Sequence, residues 1–271
     1  MLGDKLRFRF AKAGALRLLS HHDLMRCFER MLRRAGLPFK STNGFHPSPR
    51  VVFALSLPLG VVGRQEVVEI EFTQQCDSDA VLEKLNAQAP EGLVFSSATV
   101  VPMKATALPR RVVYTLSLGG TGIPACASAG AQARMPVPPE NQLGNIADAC
   151  RALMAEERVW VDRLKPSPKQ LNIRPYFRSL SVIDTALSLD LWVTQTGTAR
   201  ADELLRLLDL DDLLEAGYVL SRDVLELRDE AAAADPTDQP PDGPAETLPL
   251  NHAFREETPL PAASHFAPMV E

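Results

Sequence analysis

Cysteine is scarce and scattered in this 271-residue chain. Cys27, Cys76, Cys126 and Cys150 form no C-x-x-C pair and show no zinc or iron–sulfur spacing. A disulfide scaffold of the secreted type is therefore not expected, and free thiols in a reducing cytoplasm are. The opening residues, MLGDKLRFRFAK, hold no apolar signal region. The longest apolar run, Val51 to Val62, is broken by Ser56, Pro58 and Gly60. It is too short to span a bilayer, so no membrane role is expected. There is no Walker motif, G-x-G-x-x-G, H-E-x-x-H or G-x-S-x-G. Nucleotide hydrolysis, dehydrogenation and serine-hydrolase chemistry thus lack support, and no cofactor is expected.

Apolar residues make up 45% of the chain, enough for a sizeable core, and the length suits one large or two small domains. The net charge of −5 hides a segregation. Residues 1–50 hold eleven Lys/Arg against three Asp/Glu, whereas residues 231–271 hold seven acids against Arg255 alone. A basic head and an acidic tail point to an anion-binding surface and a solvated tail.

The order of elements can be read from periodicity. Leu6, Phe8 and Phe10 alternate with Lys5, Arg7 and Arg9, which predicts a strand. Ser20 and Asp23 form S-x-x-D, a capping box, and a helix runs on to about Ala35, where Gly36 and Pro38 stop it. Residues 50–56 and 66–72 read as strands joined across Pro58, Gly60 and Gly63. A helix over Ala80–Ala89, capped by Asp77 or Ser78, and a strand over Leu93–Val101 come next. A second pass repeats the order. It gives a strand at Val112–Leu118, a helix at Asn141–Met154 and a strand at Arg158–Leu164. A hairpin (Tyr176–Ile183, Ala186–Val193) turns about Asp184-Thr185, before a helix at Ala201–Leu208 and a strand at Tyr218–Leu227.

These readings give an α+β fold of two tandem ferredoxin-like (βαββαβ-type) domains with antiparallel sheets, over 1–105 and 106–230. A Gly/Ala/Pro-rich flexible insertion lies at 119–140. From Ala231 onward, eight prolines, seven acids and no lysine predict a disordered tail over 231–271, with a short docking motif conceivable near His252–Glu257.

The first helix carries the candidate site. At 100° per residue, Leu24, Phe28, Met31, Leu32 and Ala35 share one face, and Arg26, Arg30 and Arg33 the other, with Arg34 and His22 at its margins. Glu29 is the one acid beside that stripe, so it either binds an anion or is a plain solvated face. Arg7 and Arg9 are expected to pair instead with Glu69 and Glu71 on the open face of a neighbouring strand. His21, one residue past the cap, is either a partly buried imidazole or a general acid–base. In N-G-F-H-P-S-P, Gly44 permits a tight turn and Pro47 and Pro49 stiffen the outgoing limb of the loop. Phe45 and His46 would then stack on a base or hold a phosphate, or Phe45 would anchor the loop in the core. Zinc on His21, Cys27 and His46 lacks ligand spacing, so no metal is expected. A second basic stretch, residues 158–178, interleaves Arg158, Arg163, Lys165, Lys169, Arg174 and Arg178 with Trp160, Tyr176 and Phe177. Cations with aromatics suit single-stranded nucleic acid, and Arg174 and Tyr176 are its candidate contacts; alternating strands would give the same pattern for structural reasons.

The runs LRLLSHHDLMRCFERMLRRAGLP, GFHPSPR and LPLGV closely resemble the radical SAM-linked domain family, whose function is not established. Asn172-Ile173-Arg174-Pro175-Tyr176 and Gly197-Thr198-Ala199-Arg200 resemble its later motifs, and the match covers roughly residues 5–227. The resemblance implies a separate radical SAM protein, with a cobalamin-type N-terminal domain, as partner. This chain has no C-x-x-x-C-x-x-C and would be the accessory half. Ser20, His21, Asp23, Arg26, Gly44, Phe45, Pro47, Pro49 and Arg50 fit the family pattern. His22 and His46 depart from it, standing where Leu and often Asn are expected. The tandem arrangement also resembles CRISPR repeat-processing endonucleases, some of which use a histidine on the first helix for metal-free RNA cleavage.

Three functions stay open at this point. One is a non-catalytic accessory module that binds RNA or a ribonucleoprotein through Arg26, Arg30, Arg33 and the 44–50 loop. Another is a metal-independent ribonuclease using His21. The third is a purely protein-binding adaptor, whose stripe meets acids on the partner or on its own tail.

Overall fold

The structure is a computed structural model that describes residues 3–45, 47–119, 140–230 and 238–249. His46, the insertion over 120–139, residues 231–237 and the His252–Glu257 segment lie outside the described residues. The fold is α+β, with one large, mostly antiparallel sheet and a small second sheet.

In the first half, β1 (Lys5–Lys12) leads through a short 3-10 turn into α1 (His21–Arg34). Ser20 Oγ accepts the Asp23 amide at 3.2 Å, satisfying an orphan donor of the first turn. Gly36, with φ +61°, ends the helix in the left-handed conformation that favours glycine. β2 (Val51–Phe53) and β3 (Val62–Glu71) come next, then α2 (Ser78–Gln88), capped by Asp77, and β4 (Leu93–Val101). Leu6, Phe8 and Phe10 meet the apolar face of α1 in a core of interlocked rings. Phe28 lies 5.5 Å from Phe10 and from Phe95, and 5.1 Å from Phe53, all edge-on.

Two details of this half differ from expectation. β3 begins at Val62, so Gly63 lies inside the strand. A Cβ there would sit 2.5 Å from Glu66 Cγ, so glycine makes room for a buried carboxylate. β2 is correspondingly short, because residues 54–57 leave the sheet and pack Ala54, Leu55 and Leu57 on the second core.

The charged face of β1 is buried at Lys5 and Arg7 and half-buried at Arg9. Register sets Arg7 opposite Glu69, and the two pair at 2.9 Å, but it sets Arg9 opposite Val67. Arg9 pairs instead with Glu230, and Glu71 is taken by Lys40 and Arg50. Lys5, Arg7 and Glu69 are all buried: Lys5 pairs with Glu69 at 2.8 Å and donates to the Ala105 carbonyl, and the turn after the last long strand sets Asp229 against Arg7.

The second half comprises β5 (Pro109–Ser117), α3 (Glu140–Ala155), β6 (Trp160–Arg163), β7 (Lys169–Asn172), β8 (Phe177–Ile183) and β9 (Ala186–Trp192). It continues through α4 (Ala201–Leu207), α5 (Asp212–Glu215) and β10 (Leu220–Leu227). The turn at Asp184 takes φ +54°. Its core is separate, built on Leu116, Leu187, Leu189, Leu191, Leu204 and Leu205, all essentially inaccessible.

One sheet runs through both halves in the order β4-β1-β3-β10-β5-β9-β8, with β2 also on β3. The join is parallel, Ser221 beside Val62 and Arg222 beside Gly63. Arg222, fully buried, donates Nε to Glu66 Oε1 at 2.8 Å. Its terminal nitrogens reach the carbonyls of Ser56 and Leu55 and the Tyr114 hydroxyl. Desolvation alone would lower the Arg222 pKa, but the Glu66 carboxylate outweighs it and holds the guanidinium charged.

The small sheet, β11-β7-β6, corrects the reading of the tail. Residues 238–249 lie on the second half, and β11 (Thr247–Pro249) pairs with β7. The segment is too polar and proline-rich to build a core. Its acids find cations instead: Asp238 pairs with Arg178 at 2.8 Å and Glu246 with Arg158 at 2.9 Å.

Candidate anion-binding surface on the first helix

The apolar face of α1 is buried through Leu24, Phe28, Met31 and Leu32, and the sheet beneath forces the arginines outward. Arg26, Arg30, Arg33 and Arg34 are all exposed. Arg33 pairs with Glu29 at 2.9 Å and lies over the Phe39 ring at 5.5 Å. Arg26 is only 3.5 Å from Asp23, and both are exposed, so that contact contributes little. Arg30 and Arg34 have no ion pair among the described residues. Cys27 lies one turn before Arg30 and two turns before Arg34 on the helix. Burial raises its thiol pKa, and Arg30 and Arg34 pull it partly back.

The loop after α1 carries further positive charge, at Lys40 and Arg50. Its neck is closed by the Arg50 amide donating to the Lys40 carbonyl at 2.8 Å. Lys40 and Arg50 both reach the Glu71 carboxylate, at 3.2 and 3.4 Å, so two cations share one anion. Farther out, Thr42 and Ser48 hold the strands of the loop together, the Thr42 amide donating to the Ser48 carbonyl at 2.8 Å. Gly44 at the tip has φ +144°, a conformation that favours glycine. Phe45 is fully exposed, at 102% of its reference area, so it does not anchor the loop in the core.

His21 and His22 are exposed at the N-terminus of α1. Their rings lie 6.3 Å apart, and His21 stands edge-on to Phe53 at 5.3 Å. Lys40 is a cation of this loop that sequence reading did not single out. The signal was present in its placement opposite Arg50 across the loop, but the shared Glu71 lies 21 residues beyond Arg50.

The second basic stretch is largely internally matched. Arg163 makes a bidentate pair with Glu203, at 2.7 and 2.8 Å. Arg178 pairs with Asp190 at 2.6 Å as well as with Asp238. Arg174 donates to the carbonyls of Met154 and Glu156, and Tyr176 is buried to 1% beneath Gly197. Of its cations, Lys165, Lys169 and Arg174 have no ion pair among the described residues.

No curated protein matches the chain. Among solved structures it is similar to the crystal structure of an unknown protein from Galdieria sulphuraria, at 10% identity over 83% of this chain and 99% of that one. The TM-score is 0.25, too low to carry fold or function across. The model of the family described as "Uncharacterized protein conserved in bacteria (DUF2344)" matches residues 5–202. The chain with the arginine-faced first helix and the exposed phenylalanine loop belongs to that family.

Proposed function

We propose that this protein is an accessory module, non-catalytic on its own, that holds RNA or a ribonucleoprotein for a separate radical SAM enzyme in the cytoplasm. The RNA would lie along Arg26, Arg30, Arg33 and Arg34, with His22 and Arg50 at its margins. Gly44 and Phe45 would form the tip beside it, and His46, next in sequence, is proposed as a further contact. The observation that carries the reading is the pair Arg30 and Arg34, exposed and without an ion pair among the described residues, together with a fully exposed Phe45 on the loop that follows the helix. Unpaired guanidinium groups suit phosphates, and an exposed ring suits an unpaired base. The radical SAM partner rests on the sequence resemblance alone. Arg174 and Tyr176 are set apart from this surface, since one serves carbonyl groups and the other lies in the core.

The same proposal takes the fold as two ferredoxin-like units, 1–105 and 106–230. The support is a repeated strand permutation, β4-β1-β3-β2 in one half and β10-β5-β9-β8 in the other. The hairpin of β6 and β7 would then be an insertion in the second unit.

Filter binding of single-stranded RNA tests the assignment. Wild type should bind, and the Arg30→Glu, Arg34→Glu double variant should bind at least tenfold more weakly. Equal binding would refute the surface. If wild type binds no RNA but co-purifies with its radical SAM partner, indifferent to nuclease and lost on Arg30→Glu, the stripe is a protein contact.

One observation favours a second reading, metal-independent RNA cleavage: two exposed imidazoles at the same helix terminus. Incubation of RNA with the protein in EDTA decides it. No cleavage, or equal cleavage by His21→Ala, ends that idea.

A further inference from the structure

On the second half, Arg110 and Arg178 both lie against the Trp192 ring, at 4.9 and 5.5 Å. Arg111 is beside them, and the three guanidinium groups share Asp190 and Glu226 from their own sheet. Three cations against two acids leave one charge over. Asp238 meets it, with Oδ1 2.8 Å from Arg178 Nε and Oδ2 3.6 Å from Arg110. The same segment then runs on to pair β11 with the outer edge of β7, Thr247 beside Leu171 and Pro249 beside Lys169. The Asn172 amide donates to the Glu246 carbonyl at 2.9 Å, and the Glu246 carboxylate meets Arg158.

The attachment is shallow. All three residues of β11 are exposed, and Leu248 keeps 45% of its area in water. Backbone hydrogen bonds, ion pairs, and donations from Arg110 to the Asp238 carbonyl and from Thr196 to the Gly243 carbonyl hold the segment, and of its described apolar residues Ala245 packs on the core. Added strands of this kind take affinity from main-chain bonds and specificity from side-chain contacts at fixed spacing. Nothing in such a set of contacts requires the strand to come from the same chain.

We infer that the β7 edge and the Arg110–Arg178–Trp192 cluster form a recognition site for an extended acidic segment of another protein, and that residues 238–249 occupy it as a stand-in. The ligand this site fits is an unstructured peptide with one carboxylate at the arginine pair and a second eight residues on, at Arg158. Its own segment is tethered, so it competes at high effective concentration. A partner gains entry when it supplies more contacts than β11 does. This inference stands apart from the RNA surface and survives its failure.

The test uses full-length protein and a labelled peptide of sequence DQPPDGPAETLP. Asp238→Ala with Glu246→Ala weakens the tethered copy and leaves the receiving residues intact. The double variant should exchange its Gln170 and Asn172 amides faster than wild type, and should bind the peptide at least tenfold more tightly. Adding Arg178→Ala should abolish that gain. Three outcomes overturn the inference: unchanged amide exchange in the double variant, faster exchange without peptide binding, or displacement of the segment by an oligonucleotide and not by the peptide.

Discussion

At the scale of single residues, the protein separates arginines that have partners from those that do not. Arg7, Arg163 and Arg222 are matched to Glu69, Glu203 and Glu66 in buried or nearly buried pairs. Arg30 and Arg34 face water. Substituting either of the exposed two should change thermal stability by no more than ~0.5 kcal/mol, as for surface positions generally. Thermal melts of Arg30→Ala and Arg34→Ala check this, and a large loss would mean that the helix face has a structural partner. Thiol chemistry gives a second check. Burial pushes the Cys150 thiol up to about 11, so its thiolate is scarce at neutral pH. Cys150 should resist alkylation in the native protein and react only on unfolding, which mass spectrometry after iodoacetamide treatment would show. The arginine stripe was legible in the sequence because helical geometry alone fixes it. The pairing of residues 158–178 was not, since Glu203 is 40 residues from Arg163 and Glu246 is 88 from Arg158.

At the scale of elements, alternation and caps located most strands and helices, and the left-handed turn at Asp184 fell between two well-patterned strands. β7 escaped because KQLN has neither alternation nor β-branched residues, and β11 because prolines surround it. The start of β3 was misplaced because Gly63 serves a buried side chain there and not a turn. Gly63→Ala should therefore cost ~1–3 kcal/mol, the usual range for overpacking a filled site, as read from a denaturant midpoint. The 238–249 segment should respond to acid. Its Asp238 carboxyl is held below the usual carboxylate range, chiefly by its hydrogen bonds to Arg178. The contribution is fully present above the ordinary aspartate value of ~4 and is lost as pH falls toward the lowered native value. Protection of the β7 amides should fade over that interval and not between pH 5 and 8.

For the whole molecule, two cores share one sheet, and the parallel join of β3 to β10 could not be read from local pattern. It depends on a pairing across 156 residues, between Glu66 and Arg222. Removing one partner of such a buried pair leaves the other charge uncompensated, at a cost of ~3–5 kcal/mol. Glu66→Ala should accordingly destabilise the protein by about that amount and affect both halves, as amide exchange in β1 and β9 would report. A loss confined to the first half would mean that the join is dispensable. The functional reading belongs to this scale too, since it is the sheet buried beneath α1 that turns the helix's arginines outward. The most direct measurement is the salt dependence of binding to single-stranded RNA. With about four phosphate contacts, the logarithm of the association constant should fall with that of salt at a slope near −3. No binding, or binding indifferent to salt, would contradict the account.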